Sequence, residues 1–160
     1  MAYVYISLGS NIEREANIRS ALDVMRTEFG ELEQSSVYET VSVGFEGSAF
    51  YNLVVGFETL QEPYELVEAL RIIEHDHGRD RQGKRFSDRT LDLDLLLYDD
   101  VVIEEDHLSL PRDEILKYAF VLGPLAEIAG QKIHPLEHKS YQVLWKEFDD
   151  SEQPMSPIEF

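Results

Sequence analysis

The chain has 160 residues, 43% hydrophobic and 29% charged, with 32 acidic side chains against 14 basic ones and a net charge of −18. That is one domain's worth of chain, able to bury roughly two thirds of its unfolded surface, and its apolar share argues against wholesale disorder. The charge excludes a generic basic module for nucleic acid or anionic membrane, and the lack of cysteine excludes a disulfide framework, a thiolate metal site and a cysteine nucleophile. The opening MAYVYISL has neither the basic start nor the apolar run of a secretory signal. No stretch approaches the ~20 apolar residues of a membrane span, so the expectation is a soluble, cytoplasmic protein.

Residues 2–8 alternate loosely and are rich in Tyr, Val and Ile, which predicts a strand broken by Gly9-Ser10-Asn11. Asn11 stands where a helix N-cap belongs, and Ile18, Ala21, Leu22, Met25 and Phe29 follow at helical spacing up to Gly30. Strands are expected over 32–43 and 51–60, joined by a loop containing Gly44 and Gly47. Pro63 opens a second helix whose buried stripe is Leu66, Val67, Leu70 and Ile73. Residues 75–90 carry almost nothing a core could use and read as a long polar loop. A strand over 91–98 follows, then a turn at Asp99-Asp100 into a strand over 101–103, and helical pieces around 113–129 and 140–148. The acidic tail 149–160 contains two prolines and is expected to fray beyond a single domain at 1–148. The order predicts an α+β, ferredoxin-like β-α-β-β-α-β core with an antiparallel sheet and extra C-terminal helices. Such a fold hosts many functions, so function has to come from particular residues.

Asp92 and Asp94 are the most informative. Asp is depleted in strands, and alternation puts these two on one face while Leu91, Leu93, Leu95 and Leu97 share the other. Carboxylates about 6.5–7 Å apart repel unless a cation lies between them, and oxygen-only ligands suit Mg²⁺. The other reading of the pair is simply a wet strand face. Just upstream, Arg79, Arg81, Lys84, Arg85 and Arg89 place five of the fourteen basic side chains in one short loop of an acidic protein. Arginine forks bind phosphate oxygens, and a carboxylate-held metal neutralises the same phosphates from the other side. These are the parts of phosphoryl transfer, although salt bridges to the acidic body would also account for the loop. No Walker-type glycine loop is present, so a P-loop kinase is excluded. His75 and His77 read as solvated residues at a helix end. His134 and His138, with Pro135 between them, read as structural rather than zinc-binding, and Trp145 as part of a packing helix.

The run EHDHGRDR (74–81) followed by RTLDLDL (89–95) resembles the signature of the 6-hydroxymethyl-7,8-dihydropterin pyrophosphokinase family. ISLGSN (6–11), Tyr38-Glu39-Thr40 with Gly44, Phe50-Tyr51-Asn52, and Phe120 ahead of Pro124-Leu125 are similar to that family in the same order, across roughly residues 2–145. The resemblance implies an enzyme of folate synthesis that moves the β,γ-pyrophosphoryl group of ATP onto the pterin hydroxymethyl group and releases AMP. It implies two Mg²⁺ ions on Asp92 and Asp94, with Arg79, Arg89, Asp92 and Asp94 as the catalytic set. It places ATP against Glu74, Arg79, Arg81, Arg85, Arg89, Leu95, Arg112 and Tyr118. The pterin would meet Thr40, Val41, Val43, Asn52 and Asp92, with its ring between Phe50 and Phe120. A monomer with no nucleic-acid or membrane partner is expected.

The chain departs from the family pattern at three places. Phe86-Ser87-Asp88 stands for the usual Trp-Gly-Pro, Arg112-Asp113 for His-Tyr, and Tyr118 for an Arg. Losing a charge-assisted contact typically costs about 1.5–3 kcal/mol, so these changes predict weaker or altered ATP use. The alternative reading is a divergent paralogue that binds a pterin or nucleotide with altered or lost transfer.

Overall fold

The computed structural model describes residues 1–41, 47–78 and 90–160. Its frame is one antiparallel sheet built from β1 (Ala2–Ser10), β2 (Glu33–Gln34), β3 (Val37–Thr40), β4 (Phe50–Thr59), β5 (Asp92–Tyr98) and β8 (Met155–Ile158). The order across it is β5-β1-β4-β3-β8, with β2 also paired to β4. Two helices, α1 (Arg14–Phe29) and α2 (Pro63–Asp76), cover one face. The other face carries α3 (Ala119–Ala129) and α4 (Tyr141–Glu147). A small hairpin of β6 (Ile103–Glu105) and β7 (Leu108–Leu110) precedes a 3₁₀ turn at Asp113–Leu116. The ferredoxin-like expectation therefore holds, helical appendix included.

Alternation along the strands divides the interior into two cores. Val4, Ile6, Leu8, Leu53, Val55, Leu93 and Leu95 pack with Ile18, Leu22, Met25, Leu66 and Leu70 of α1 and α2. Tyr5, Val54, Leu96 and Leu97 pack instead with Val121, Leu122, Leu125 and Tyr141 of α3 and α4. The helix on Pro63 begins with a capping box in which Glu62 and Glu65 exchange side-chain and backbone hydrogen bonds. Among the described residues no helix is long and apolar enough to cross a membrane.

Several local expectations are corrected. Gly9 does not break β1, which runs on through Ser10 with Gly9 opposite Asn52 and Asp92. Asn11 is not the cap of α1. Glu13 stands there in the left-handed region, and the buried Asn11 amide donates to the Ser48 carbonyl. The strand expected over 32–43 is split at Ser35, whose backbone N–H donates to the Val54 carbonyl while its hydroxyl accepts from the Val54 N–H. The strand expected at 101–103 lies instead at Ile103–Glu105, in the hairpin. Leu97 is not on the face of Leu91, Leu93 and Leu95, because the register against β1 slips between Tyr5 and Ile6 and sends Leu97 to the α3 side. The tail expected to fray pairs with β3 as β8. His134 is buried and structural: its Nδ1 accepts the Leu136 and Glu137 N–H groups at 3.1 Å each.

α3 is tied to β3 through Glu127, which accepts from the Tyr38 hydroxyl at 2.7 Å and from the Ser36 hydroxyl and N–H at 2.7 and 3.0 Å. Burial works to raise this carboxyl, but the bonds from Tyr38 and Ser36 hold it below its ordinary value. Burial, reinforced by Glu127, pushes the Tyr38 phenol up to about 12. A folded-state value below the unfolded one gives stability that is present above the ordinary carboxylate value of 4.5 and lost as pH falls through the lower folded value. Glu127→Gln should therefore cost roughly 1 kcal/mol at neutral pH, as judged by urea unfolding. The gap to the wild type should close in acid; a gap that stays constant down to pH 3 would contradict the carboxylate's role.

Candidate active site

The antiparallel register lines up Asp92, Gly9, Asn52 and Tyr38 as one row across four strands. The neighbouring row pairs Asp94 with Ser7 and Ser7 with Val54. Because Val54 belongs to the core beneath α3, Asn52 and Phe50 face the same side, as do Asp92 and Asp94. The acidic pair and the amide thus share one face at one end of the sheet, the end where β1 and β3 finish and β4 and β5 begin. Adjacent strands lie ≈ 4.8 Å apart, so Asp92 and Asn52 stand about 10 Å apart with only a glycine between them.

That glycine is what makes the row possible. A Cβ on Gly9 would lie 2.8 Å from Asn52 Oδ1 and 3.8 Å from the Phe50 ring. Asn52 is buried, and its Nδ2 donates to the Thr40 hydroxyl at 2.6 Å. Its carbonyl oxygen is thereby turned toward the space over Gly9. Val41, just past Thr40, is 57% exposed and stands at the rim.

At the outer strand, Arg112 Nη2 lies 3.5 Å from Asp94 Oδ1 and 2.8 Å from Glu114 Oε1. Burial works against the Arg112 charge, but Asp94, Glu114 and Asp92 together hold its pKa above the ordinary value. A recess of about 50 Å³ opens beside this pair, walled by Val67, Leu70 and Leu95 and bordered by Arg71, Asp94, His107 and Arg112. Asp94, Leu95 and Arg112 are thus brought together. Glu74 is not part of that wall. It is 1% exposed, and its Oε2 accepts the Leu93 N–H at 2.7 Å, fastening α2 to the rim of β5. On the opposite side Phe120, in the first turn of α3, stacks on Tyr118 with ring centres 5.1 Å apart and planes at 19°. Val43, Arg79, Arg81, Arg85 and Arg89 lie outside the described residues.

The donor set suits a hard divalent cation. Two carboxylates two residues apart offer only oxygen, as Mg²⁺ prefers when water and phosphate complete its shell. Among the described residues no group of three or more His, Cys, Asp or Glu side chains is placed to hold a metal, so the acidic pair has no imidazole or third carboxylate to close a cage. Four buried side-chain polar atoms have no hydrogen-bond partner among the described residues: Thr90 Oγ1 just before β5, Arg112 Nε beside Asp94, and, away from the acidic pair, Gln61 Oε1 and the Tyr141 hydroxyl. Buried polar groups are normally satisfied, so the two beside the acidic pair are available to a polar ligand there.

Gly9 was hidden in the sequence, since a glycine near a strand end reads as a breaker. Its other meaning, close approach of a neighbouring group, is the one realised. Gly9→Ala should push the Asn52 amide off Thr40 and cost about 1–3 kcal/mol by overpacking. Urea unfolding measures the cost, and a variant as stable as the wild type with the Asn52–Thr40 bond intact in its crystal structure would refute the steric account.

Residues 5–130 match the family described as 7,8-dihydro-6-hydroxymethylpterin-pyrophosphokinase (HPPK). The chain is 41% identical to the 2-amino-4-hydroxy-6-hydroxymethyldihydropteridine pyrophosphokinase of Bacillus subtilis, over 79% of this chain and 78% of that protein. It is 38% identical to the enzyme of the same name from Aquifex aeolicus, over 87% and 88% of the two chains. Its fold is similar to that of a solved HPPK-DHPS chain in complex with substrates, with a TM-score of 0.74 at 12% identity, covering 94% of this chain and 44% of that one. The chain thus spans less than half of that longer protein. By these sequence matches the chain belongs to the 7,8-dihydro-6-hydroxymethylpterin-pyrophosphokinase family.

Proposed function

We infer that this chain is an ATP-dependent pyrophosphokinase of folate synthesis, transferring the β,γ-pyrophosphoryl group of ATP to 6-hydroxymethyl-7,8-dihydropterin and releasing AMP. The observation that carries the reading is the row itself, with carboxylates for the phosphate end and a buried amide for a heterocycle's edge separated by one glycine. The relatives from Bacillus subtilis and Aquifex aeolicus carry that enzyme name, and among the described residues no feature of the site favours the paralogue with lost transfer.

In the reaction the pterin hydroxymethyl oxygen attacks the β-phosphorus. The bond from that phosphorus to the oxygen bridging to the α-phosphorus breaks, AMP leaves with that oxygen, and the hydroxyl proton is released. Asp92 and Asp94 would hold two Mg²⁺ ions. When bound, they would supply charge neutralisation for the triphosphate. Arg112, held protonated beside Asp94, adds a cation at the nucleotide end, and Leu95 borders the small recess beside it. Arg79, Arg81, Arg85 and Arg89 are assigned to the triphosphate and Tyr118 to the nucleotide. The Asn52 carbonyl oxygen, with backbone groups of Thr40, Val41 and Val43, would read the pterin edge, and Phe50 and Phe120 would sandwich its ring. Glu74 acts on the nucleotide at second hand, by fixing the β5 backbone between the two aspartates. The assignment includes a monomer in the cytoplasm, as the family resemblance implies.

AMP release from ATP, Mg²⁺ and the pterin, with each omitted in turn, tests the reading. Release should require all three, and pterin-independent release would sink it. Asp94→Ala should lower kcat by about a hundredfold or more even at saturating Mg²⁺, the scale of losing one preorganised electrostatic contact to the transition state. Near-normal turnover in that variant would show that the metal is held elsewhere.

A further inference from the structure

Residues 149–160 lie beyond the stretch that matches the family, yet they touch both walls assigned to the pterin. α3 begins without a side-chain cap of its own, because Tyr118 at that position supplies none. The cap comes from the tail. Gln153 Oε1 accepts the Ala119 N–H at 2.8 Å, and Gln153 Nε2 donates to the Lys117 carbonyl at 3.1 Å, so one amide brackets Tyr118 from both sides. A turn in which the Gln153 N–H donates to the Asp150 carbonyl presents that side chain.

Two residues later the tail joins the sheet, with Met155 opposite Thr40 and Ile158 opposite Val37. Its side chains reach back over α3. A Cβ on Gly123 would stand 2.3 Å from Met155 Cε and 3.1 Å from the Trp145 ring, so the helix has a glycine where the tail crosses it. At the far end Phe160 sits edge-on to Tyr51, and the Arg19 guanidinium lies 4.2 Å over its ring.

We propose that residues 149–160 form a strap that sets the spacing between Thr40 on β3 and the Tyr118–Phe120 pair on α3, with Gln153 as a positioning residue for the pterin. The proposal rests on the assignment of Thr40 and Phe120 to the pterin made above. Gln153 touches no substrate. It acts by holding the first turn of α3, and through it the Phe120 ring, at a fixed height over the sheet. Of the described groups assigned to the nucleotide, the strap holds only Tyr118; the recess beside β5 lies at the opposite edge of the sheet.

Steady-state kinetics on the full chain test this with Gln153→Ala, Gln153→Glu and Phe120→Ala, alongside thermal unfolding. Gln153→Ala should raise the pterin KM by about tenfold, the scale of one or two lost hydrogen bonds, raise the ATP KM by less because Tyr118 alone of the described nucleotide residues is held by Gln153, and leave the melting temperature close to wild type. Gln153→Glu keeps an acceptor for Ala119 N–H but no donor for Lys117, and should recover part of the loss. If Phe120→Ala raises the pterin KM and Gln153→Ala does not, the strap is refuted and the pterin assignment stands. If Phe120→Ala leaves the pterin KM unchanged, the assignment fails and the strap proposal falls with it. A Gln153→Ala variant whose two KM values rise together with a large drop in melting temperature would show a general structural role and would also overturn it.

Discussion

Everything at the functional end of this molecule depends on one row of the sheet, in which β5, β1 and β4 contribute Asp92, Gly9 and Asn52. Antiparallel pairing makes such a row rigid, since a slip by one residue would turn each side chain to the opposite face. The carboxylate and the amide are therefore held by backbone hydrogen bonds before any ligand arrives. That is the condition electrostatic catalysis requires, because groups already aimed at the reacting phosphates need no reorganisation when charge develops.

The surroundings follow from this constraint. The face under α1 and α2 is dry along its length, while the α3 face is dry only where α3 and α4 cover it. α3 is tied at its C-terminal half by Glu127 to Tyr38 and Ser36, and at its start by Gln153. Through Glu127 it meets the Tyr38 end of the row. The other end, at Asp92 and Gly9, lies where β5 begins and β1 finishes, and that is the end proposed for the ligands.

Much of this was legible in the sequence. Period-two alternation gave Asp92 and Asp94 a common face, and the 3.6-residue stripe of Leu66, Leu70 and Ile73 located α2 and its buried side. Local signals misled where a residue has two uses. Gly9 and Asn11 look like a strand end and a cap, yet one leaves room for Asn52 and the other binds the Ser48 carbonyl. Ser35 looks like an ordinary strand residue but interrupts the strand by bonding Val54 through both its hydroxyl and its N–H. The tail was illegible for a different reason: its strand has no amphipathic pattern of its own and forms because β3 offers an unpaired edge and Gly123 a place for Met155. Pairings between distant parts of a chain leave no mark in a local window.

The register slip opposite Tyr5 and Ile6 has one more consequence. It adds a residue to β5 at Leu96, so the strand changes phase partway along. Before the slip, the α3 side receives the aspartates; after it, that side receives Leu96 and Leu97. In strict alternation Leu96 would reach that side and Leu97 would turn to the α1 and α2 side. The inserted residue gives the second core two consecutive leucines instead of one without moving either aspartate. Deleting Leu96 would restore alternation, leave both halves facing as they do, and remove one leucine from the packing under α3.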